Sequence, residues 1–405
     1  MSKIKWAPNE WRKERLEYLA KIQTGIAKNQ NHQGEVIALP YLRVANVQDG
    51  FLDLSEIKTI NVLKDKADRY KLQLGDVLLT EGGDFDKLGR GAVWEGQIES
   101  CVHQNHVFAV RTDKTILFPA FLSAQTSSPY GKRYFLSCSK QSTNLASINS
   151  SQLKAFPVLF PPLPEQKAIA DLLTTWDEAI EKTERLIQAK EKRFKWLLND
   201  LISIPAKNGK WKQVRVGSFL TESRNPGSNG FDAQKITVKL YGKGVIPKEE
   251  KRIGSATTQY YVRKAGQFIY SKLDFLNGAF GIIPKELDNF ESTLDLPAFD
   301  VCDNVLKEWF LYYMIRPEYY TRQLGLAKGQ RKARRVNPAE FLNSKITLPP
   351  IEVQQQIADT LSFAQHEIGL LKQLAEQYKT QKRGLMQKML TGEWRVKLEI
   401  VKSYA

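Results

Sequence analysis

The chain opens two helices with one motif, 188 residues apart, and that duplication constrains its fold more than any other feature. Pro161-Pro162-Leu163-Pro164-Glu165-Gln166-Lys167-Ala168-Ile169-Ala170-Asp171 returns as Pro349-Pro350-Ile351-Glu352-Val353-Gln354-Gln355-Gln356-Ile357-Ala358-Asp359. Proline fixes its own φ and pushes the residue before it out of the helical region, so each helix should start just after its prolines. In the first copy Ile169, Leu173, Trp176, Ile180, Ile187, Phe194 and Leu197 recur at spacings that alternate between three and four, interrupted at Thr183 and Lys190. The second copy keeps the phase at Ile357, Leu361, Ile368, Leu371 and Leu385, with Ala364, Ala375, Tyr378, Lys382 and Met389 between and after them. This is the a/d heptad pattern of a narrow apolar seam.

A helix from Glu165 to about Asp200 is roughly 54 Å long at ~1.5 Å per residue. Alone it would leave its stripe in water, so the two copies are expected to bury their stripes against each other. Antiparallel pairing is expected, because a whole globular region lies between the end of one helix and the start of the other. Ala364 opposite Phe194 or Trp176 would relieve crowding there.

A chain of 405 residues suits two domains with connectors. The expected division is module one at 1–160, a central helix at 161–204, module two at 205–348, and a distal helix with tail at 349–405. Trp11-Arg12-Lys13-Glu14-Arg15-Leu16 and Trp211-Lys212-Gln213-Val214-Arg215-Val216 open the modules alike. Expected strands are Tyr41–Val47, Asp76–Thr80, Gly91–Trp94 and His106–Val110, then Lys235–Leu240, Gln267–Tyr270 and Ala279–Ile283. Gly75-Asp76-Val77-Leu78-Leu79 and Gly266-Gln267-Phe268-Ile269-Tyr270 read as one turn-plus-strand used twice. The fold class is therefore mixed α/β (α+β): two similar modules separated by two long antiparallel coiled-coil helices. Ile204–Lys210 is polar and turn-rich, a hinge into module two.

Lys and Arg outnumber Asp and Glu by 60 to 44, a formal charge of +16, which favours an extended acidic partner such as duplex DNA. Arg322, Lys328, Arg331, Lys332, Arg334 and Arg335 crowd one loop with no acid among them, a pattern suited to phosphates along a duplex. The matching stretch of module one, Ser137–Asn144, holds only Lys140, with Lys132 and Arg133 just before it. The glycine-rich segment Glu81–Gly91 carries Lys87 and Arg90, long donors beside a backbone free to turn sharply. Gln104 and Asn105 add mixed donor and acceptor capacity. Candidate DNA contacts also include Arg43, Lys243 and Lys272. Two modules of one architecture with different loops should read two different half-sites.

Other classes lack their signatures. The phosphate-loop and dinucleotide fingerprints are absent, and His103 and His106 have no zinc-site context. Cys101, Cys138 and Cys302 stand apart without ligand or disulfide spacing, which fits a reducing cytoplasm. The start shows no secretory signal, and no apolar run reaches membrane-spanning length. No metal site and no catalytic constellation is expected. The competing expectation is a non-catalytic scaffold whose two modules bind proteins.

The order of variable region, proline-led long helix, variable region and proline-led long helix resembles the specificity subunit of type I restriction-modification enzymes. Leu163-Pro164-Glu165-Gln166 with Ile169-Ala170 is similar to the family's central conserved segment. Ile351-Glu352-Val353-Gln354 with Ile357-Ala358 is similar to the distal one, with Glu352-Val353 where Pro-Glu is usual. Tyr41–Val47 and Asn105–Arg111 are similar to pieces of the family's target-recognition domains. The resemblance implies a non-catalytic subunit that recognises a bipartite asymmetric DNA target. It implies two modification subunits, carrying S-adenosylmethionine and methylating adenine, and restriction subunits that use ATP and Mg²⁺. No cofactor is implied for this chain.

Overall fold

The computed structural model describes residues 10–27, 34–83, 88–141, 146–249, 255–322, 327–328 and 334–405. The chain divides into two compact units: Met1–Thr183 with Leu374–Ala405, and Glu184–Gln373. Each long helix, Leu163–Leu198 and Ile351–Met389, contributes residues to both.

Unit one is built on a four-stranded antiparallel sheet in the order Ala20–Thr24, Val107–Thr112, Val77–Thr80, Gly91–Val93. Side chains alternate across it, as the period of a strand requires. Val77, Leu79, Phe108 and Val110 join the core built with Phe121, Phe135 and Phe156, while Leu78, Val107 and Ala109 face a second cluster around Trp94 and Leu42. Burial on both faces explains why these strands read as unbroken apolar runs. Arg12–Arg15 pairs with Pro157–Phe160, tying the start of the unit to the segment just before the first long helix.

Unit two repeats the plan: Leu220–Ser223, Ala298–Val301, Phe268–Tyr270, Phe280–Ile282, all antiparallel. Phe268, Tyr270, Phe280 and Phe299 face the main core, and Ile269 and Ala298 face the opposite one. Lys212–Arg215 pairs with Lys345–Leu348 as Arg12–Arg15 does with Pro157–Phe160. Trp11 meets Phe121 edge-on at 6.3 Å, and Trp211 meets Trp309 in the same way at 6.3 Å. Gly75 (φ +90) and Gly266 (φ +87) turn the chain into the equivalent strands Val77–Thr80 and Phe268–Tyr270, in a conformation that L side chains rarely adopt.

The helices run antiparallel within each unit. In unit one Ile169 and Leu173 pack with Met386, Met389 and Leu390, Trp176 meets Tyr378 edge-on at 5.7 Å, and Lys382 pairs with Asp177. In unit two Leu198 and Ile202 share a core with Ile357 and Leu361, and Lys190–Glu367 and Lys372–Glu191 pair at 2.6 Å. Ile187 and Ile368 are buried, whereas Ile180, Phe194, Leu197, Leu371 and Leu385 are half-buried. Trp176 and Phe194 have aromatic neighbours, Tyr378 and Tyr312.

Two local expectations change. The strand expected over Tyr41–Val47 ends at Leu42, and Val44–Asn46 forms a 3-10 turn. Buried Asn46 causes it: its Oδ1 accepts from the Arg43 amide, and its Nδ2 donates to the carbonyls of Asp53 and Glu56. The segment read as a hinge, Ile204–Lys210, begins with an α turn at Ile204–Lys207 that continues a π turn at Asn199–Ser203, and only its end is turn. Pro205 has no N–H to give the ladder, which favours a wider turn before it. Ile202 and Ser203 are buried there.

Candidate nucleic-acid interface

Three of the candidate contacts brace one segment of unit one. Arg90 donates from Nη1 to Gln48 Oε1 at 3.0 Å, and Arg43 donates to the Glu56 carbonyl at 3.2 Å. Lys132 pairs with Asp49 at 2.9 Å. Arg43 bonds within residues 43–56, and Arg90 and Lys132 tie that segment to the approach of Gly91–Val93 and to the helix Pro129–Cys138, so part of their donor capacity is already used. Arg133 is exposed on the helix Pro129–Cys138. Lys140 lies in a short strand, Lys140–Gln141, paired with Ala146–Ser147. Lys87, Arg331 and Lys332 lie outside the described residues.

Gln104 and Asn105 sit where the chain enters the strand Val107–Thr112. The Gln104 amide donates to the Leu42 carbonyl at 2.9 Å, and Asn105 Nδ2 approaches His106 Nε2 at 3.4 Å. The other ring nitrogen, Nδ1, meets the Glu81 carboxylate. Glu81 was not among the sequence candidates, because an acid is not an obvious DNA contact. His103, three residues earlier, is buried and faces inward: Nδ1 bonds the Val107 carbonyl at 2.7 Å.

In unit two Lys243 is exposed at the tip of the hairpin joining Ile236–Val238 and Val245–Pro247. Arg322 and Arg334 are exposed, and Ala327–Lys328 pairs with Arg335–Val336. Arg335 donates to Asp295 Oδ1 at 3.2 Å. Lys272 is half-buried, and that burial holds its pKa below the ordinary lysine value; Asp295 and Glu222 oppose the shift, while Arg224 and Arg335 add to it. Lys272, Arg335, Arg224, Asp295 and Glu222 thus form one mixed-charge cluster. Sequence reasoning found Lys272 and Arg335 but not their three partners, which come from the end of the strand Leu220–Ser223 and the turn before Ala298–Val301.

Among the described residues no group of His, Cys, Asp and Glu could hold a metal ion, and no helix is long and apolar enough to cross a membrane.

Two like sheet modules, each followed by a long helix and carrying loops of different charge, define the class: the specificity-subunit fold. Residues 8–191 match the family described as type I restriction modification DNA specificity domain. Over that segment the chain is similar to the type I restriction-modification specificity subunits. It is 23% identical over 414 residues to a candidate type I restriction enzyme specificity subunit, MjaX, of Methanocaldococcus jannaschii, covering 96% of this chain and 95% of that one. It is 27% identical over 169 residues to the EcoKI specificity subunit of Escherichia coli, covering 40% of this chain and 36% of that one. In fold it is similar to the HsdS subunit from Thermoanaerobacter tengcongensis (TM-score 0.52, 17% identity, 96% of this chain and 98% of that chain). The type I S subunit from M. genitalium is similar as well (TM-score 0.58, 13% identity, 96% and 99%).

Proposed function

We propose that this chain reads a bipartite, asymmetric duplex DNA target and directs the adenine methylation and restriction performed by partner subunits. One observation carries the reading: both units have the same four-stranded sheet and the same strand pairing ahead of a long helix, yet their loops differ in charge. A shared frame with unlike loops reads two unlike half-sites. The frame also fixes where each loop stands within its own unit.

The partners are two modification subunits carrying S-adenosylmethionine and restriction subunits using ATP and Mg²⁺, working in the cytoplasm. Arg322, Lys328, Lys332 and Arg334 supply phosphate attraction in the second half, with Arg331 or Arg335 reading a base, and Arg133, Lys140 and Lys87 supply phosphate attraction in the first.

The test is co-expression with modification subunits and genome-wide mapping of methylated adenines. Exchanging residues 12–155 for those of a relative should rewrite one half of a two-part motif and leave the other half and the gap unchanged. A swap that rewrites both halves would refute independent reading. A chain that supports no methylation, and shows no salt-dependent duplex binding within an intact complex, would instead be a protein scaffold.

A further inference from the structure

The two units carry one corner with opposite chemistry. Six residues beyond Gly75 stands Glu81, and six beyond Gly266 stands Lys272. Their backbones make the same bonds. The Glu81 amide donates to the His106 carbonyl at 2.9 Å, and the Lys272 amide to the Asp295 carbonyl at 2.9 Å. The Ile148 amide donates to the Glu81 carbonyl at 2.8 Å, and the Val336 amide to the Lys272 carbonyl at 3.1 Å. Ile148 and Val336 are 188 residues apart, the offset of the helix motif itself. The corners are therefore the same place in a duplicated fold, with an acid facing a histidine in one and a lysine beside an aspartate in the other.

Three chain segments meet at each corner: the exit of the central strand, the approach to its neighbour, and the segment that leads on to the long helix. In unit one the corner opens the glycine-rich stretch Glu81–Gly91, and in unit two it adjoins the basic run through Arg335. All the side chains involved reach solvent: Glu81 and Lys272 are half-buried, and the His106 and Arg335 side chains are 55% and 48% exposed.

We infer that this corner is the base-reading position of each unit: Glu81, oriented by His106, accepts from the exocyclic amine of cytosine or adenine, and Lys272 with Arg335, oriented by Asp295, donates to guanine. The inference rests on the DNA-reading function proposed above. A carboxylate is repelled by phosphate but matches an amine edge in the major groove, whereas Lys and Arg match guanine O6 and N7. A carboxylate offers about four acceptor positions, so the bond to His106 Nδ1 leaves capacity for a base. The alternative is a pair of solvated strand-end staples with no contact to DNA.

The assembled methyltransferase complex decides between them, with methylated adenines mapped genome-wide and thermal unfolding followed in parallel. Glu81→Gln should relax one position of one half-site by about tenfold or more and leave the other half-site unchanged. Lys272→Gln should relax one position of the other half-site, where the wild type requires guanine. His106→Asn, which keeps the Glu81 charge, should weaken the same position as Glu81→Gln and serves if that variant does not assemble. Arg335→Gln does the same for Lys272. Complexes that assemble and methylate the unaltered wild-type motif in all four variants would overturn the inference while leaving DNA reading intact. A wild-type complex yielding no two-part motif would overturn the DNA reading itself, and this inference with it.

Discussion

Gln166 and Gln354, 188 residues apart, make one hydrogen-bond pattern in their two units. Gln166 Oε1 accepts from the Phe118 amide at 2.8 Å, and its Nε2 donates to the carbonyls of Ile116 and Pro161 at 2.8 and 2.9 Å. Gln354 Oε1 accepts from the Leu306 amide at 2.9 Å, and its Nε2 donates to Pro349 at 2.9 Å and Asn304 at 3.5 Å. Both side chains are almost wholly buried. Each glutamine latches the first turn of a long helix to the loop that starts the helix Pro119–Ser127 or Lys307–Met314. The latch holds sheet, short helix and long helix in one frame, and that frame positions the loops.

Gln354→Leu fills similar space but strands the Leu306 amide and two carbonyls. The expected cost to unit two is about 2–4 kcal/mol, since each unsatisfied buried group costs on the order of 1–3 kcal/mol in full and these relax in part. Amide hydrogen exchange at Leu306 and denaturant unfolding measure it. Unchanged protection at Leu306 would show that the latch does not hold the loop.

The duplication has diverged next to the latch. Glu165 is buried and takes a bidentate bond from Arg395, with Nη2 to Oε2 at 2.7 Å; the corresponding residue in the second copy is Val353, packed against an apolar core. Arg395→Leu should destabilise unit one by about 1–3 kcal/mol, because it leaves a buried carboxylate whose surroundings are only partly open to water. Adding Glu165→Val, the second copy's solution, should recover most of that loss. A double variant as unstable as the single one, by thermal unfolding, would mean that Arg395 acts through packing rather than charge.

Apolar periodicity carried the long helices because their seam residues are spaced to face one partner along many turns. Leu361 and Ile169 stand where the heptads put them, fully buried. The strands were legible as apolar runs, since both faces of each central strand meet a core. The charged corners were not legible. Glu81 meets His106, and Lys272 meets Asp295, only through strand register, which a single sequence does not carry. The clue was the shared distance from Gly75 and Gly266, but it gains meaning only once those glycines are seen to make the same turn. The basic residues gave a similar lesson. Composition marks Arg43 and Arg90 as donors, and tertiary contacts commit both to the turn at Val44–Asn46 and its surroundings.

His103 makes unit one sensitive to acid. Burial depresses the imidazole pKa below its ordinary 6.5, against the bond to the Val107 carbonyl and the charge of Asp76. The unfolded chain therefore takes up the proton first as pH falls. The contribution is complete above about 6.5 and is lost progressively below it, down to the depressed folded value, at no more than ~1.4 kcal/mol per pH unit. The melting temperature measured from pH 7.5 to 5.5 should fall less steeply in His103→Asn than in the wild type. Parallel curves would place the acid sensitivity elsewhere.

The basic run tests the electrostatic half of DNA binding. Arg334 is exposed, and Arg335–Val336, paired with Ala327–Lys328, adjoins the Lys272 corner. Each phosphate neutralised releases condensed counterions and adds about 0.9 to the slope of log affinity against log salt. In the assembled complex, Lys328→Ala, Lys332→Ala and Arg334→Ala together should flatten that slope by up to about 2.7 if each side chain meets one phosphate. Specific and nonspecific duplexes should weaken by similar factors, because phosphate contacts position the protein without reading sequence. Arg335→Gln should behave differently: discrimination at one base pair falls, and the salt slope changes by no more than about one contact's worth. A triple variant with an unaltered slope in an intact complex would assign the run to solubility and leave the corner residues and Lys87 as the DNA contacts.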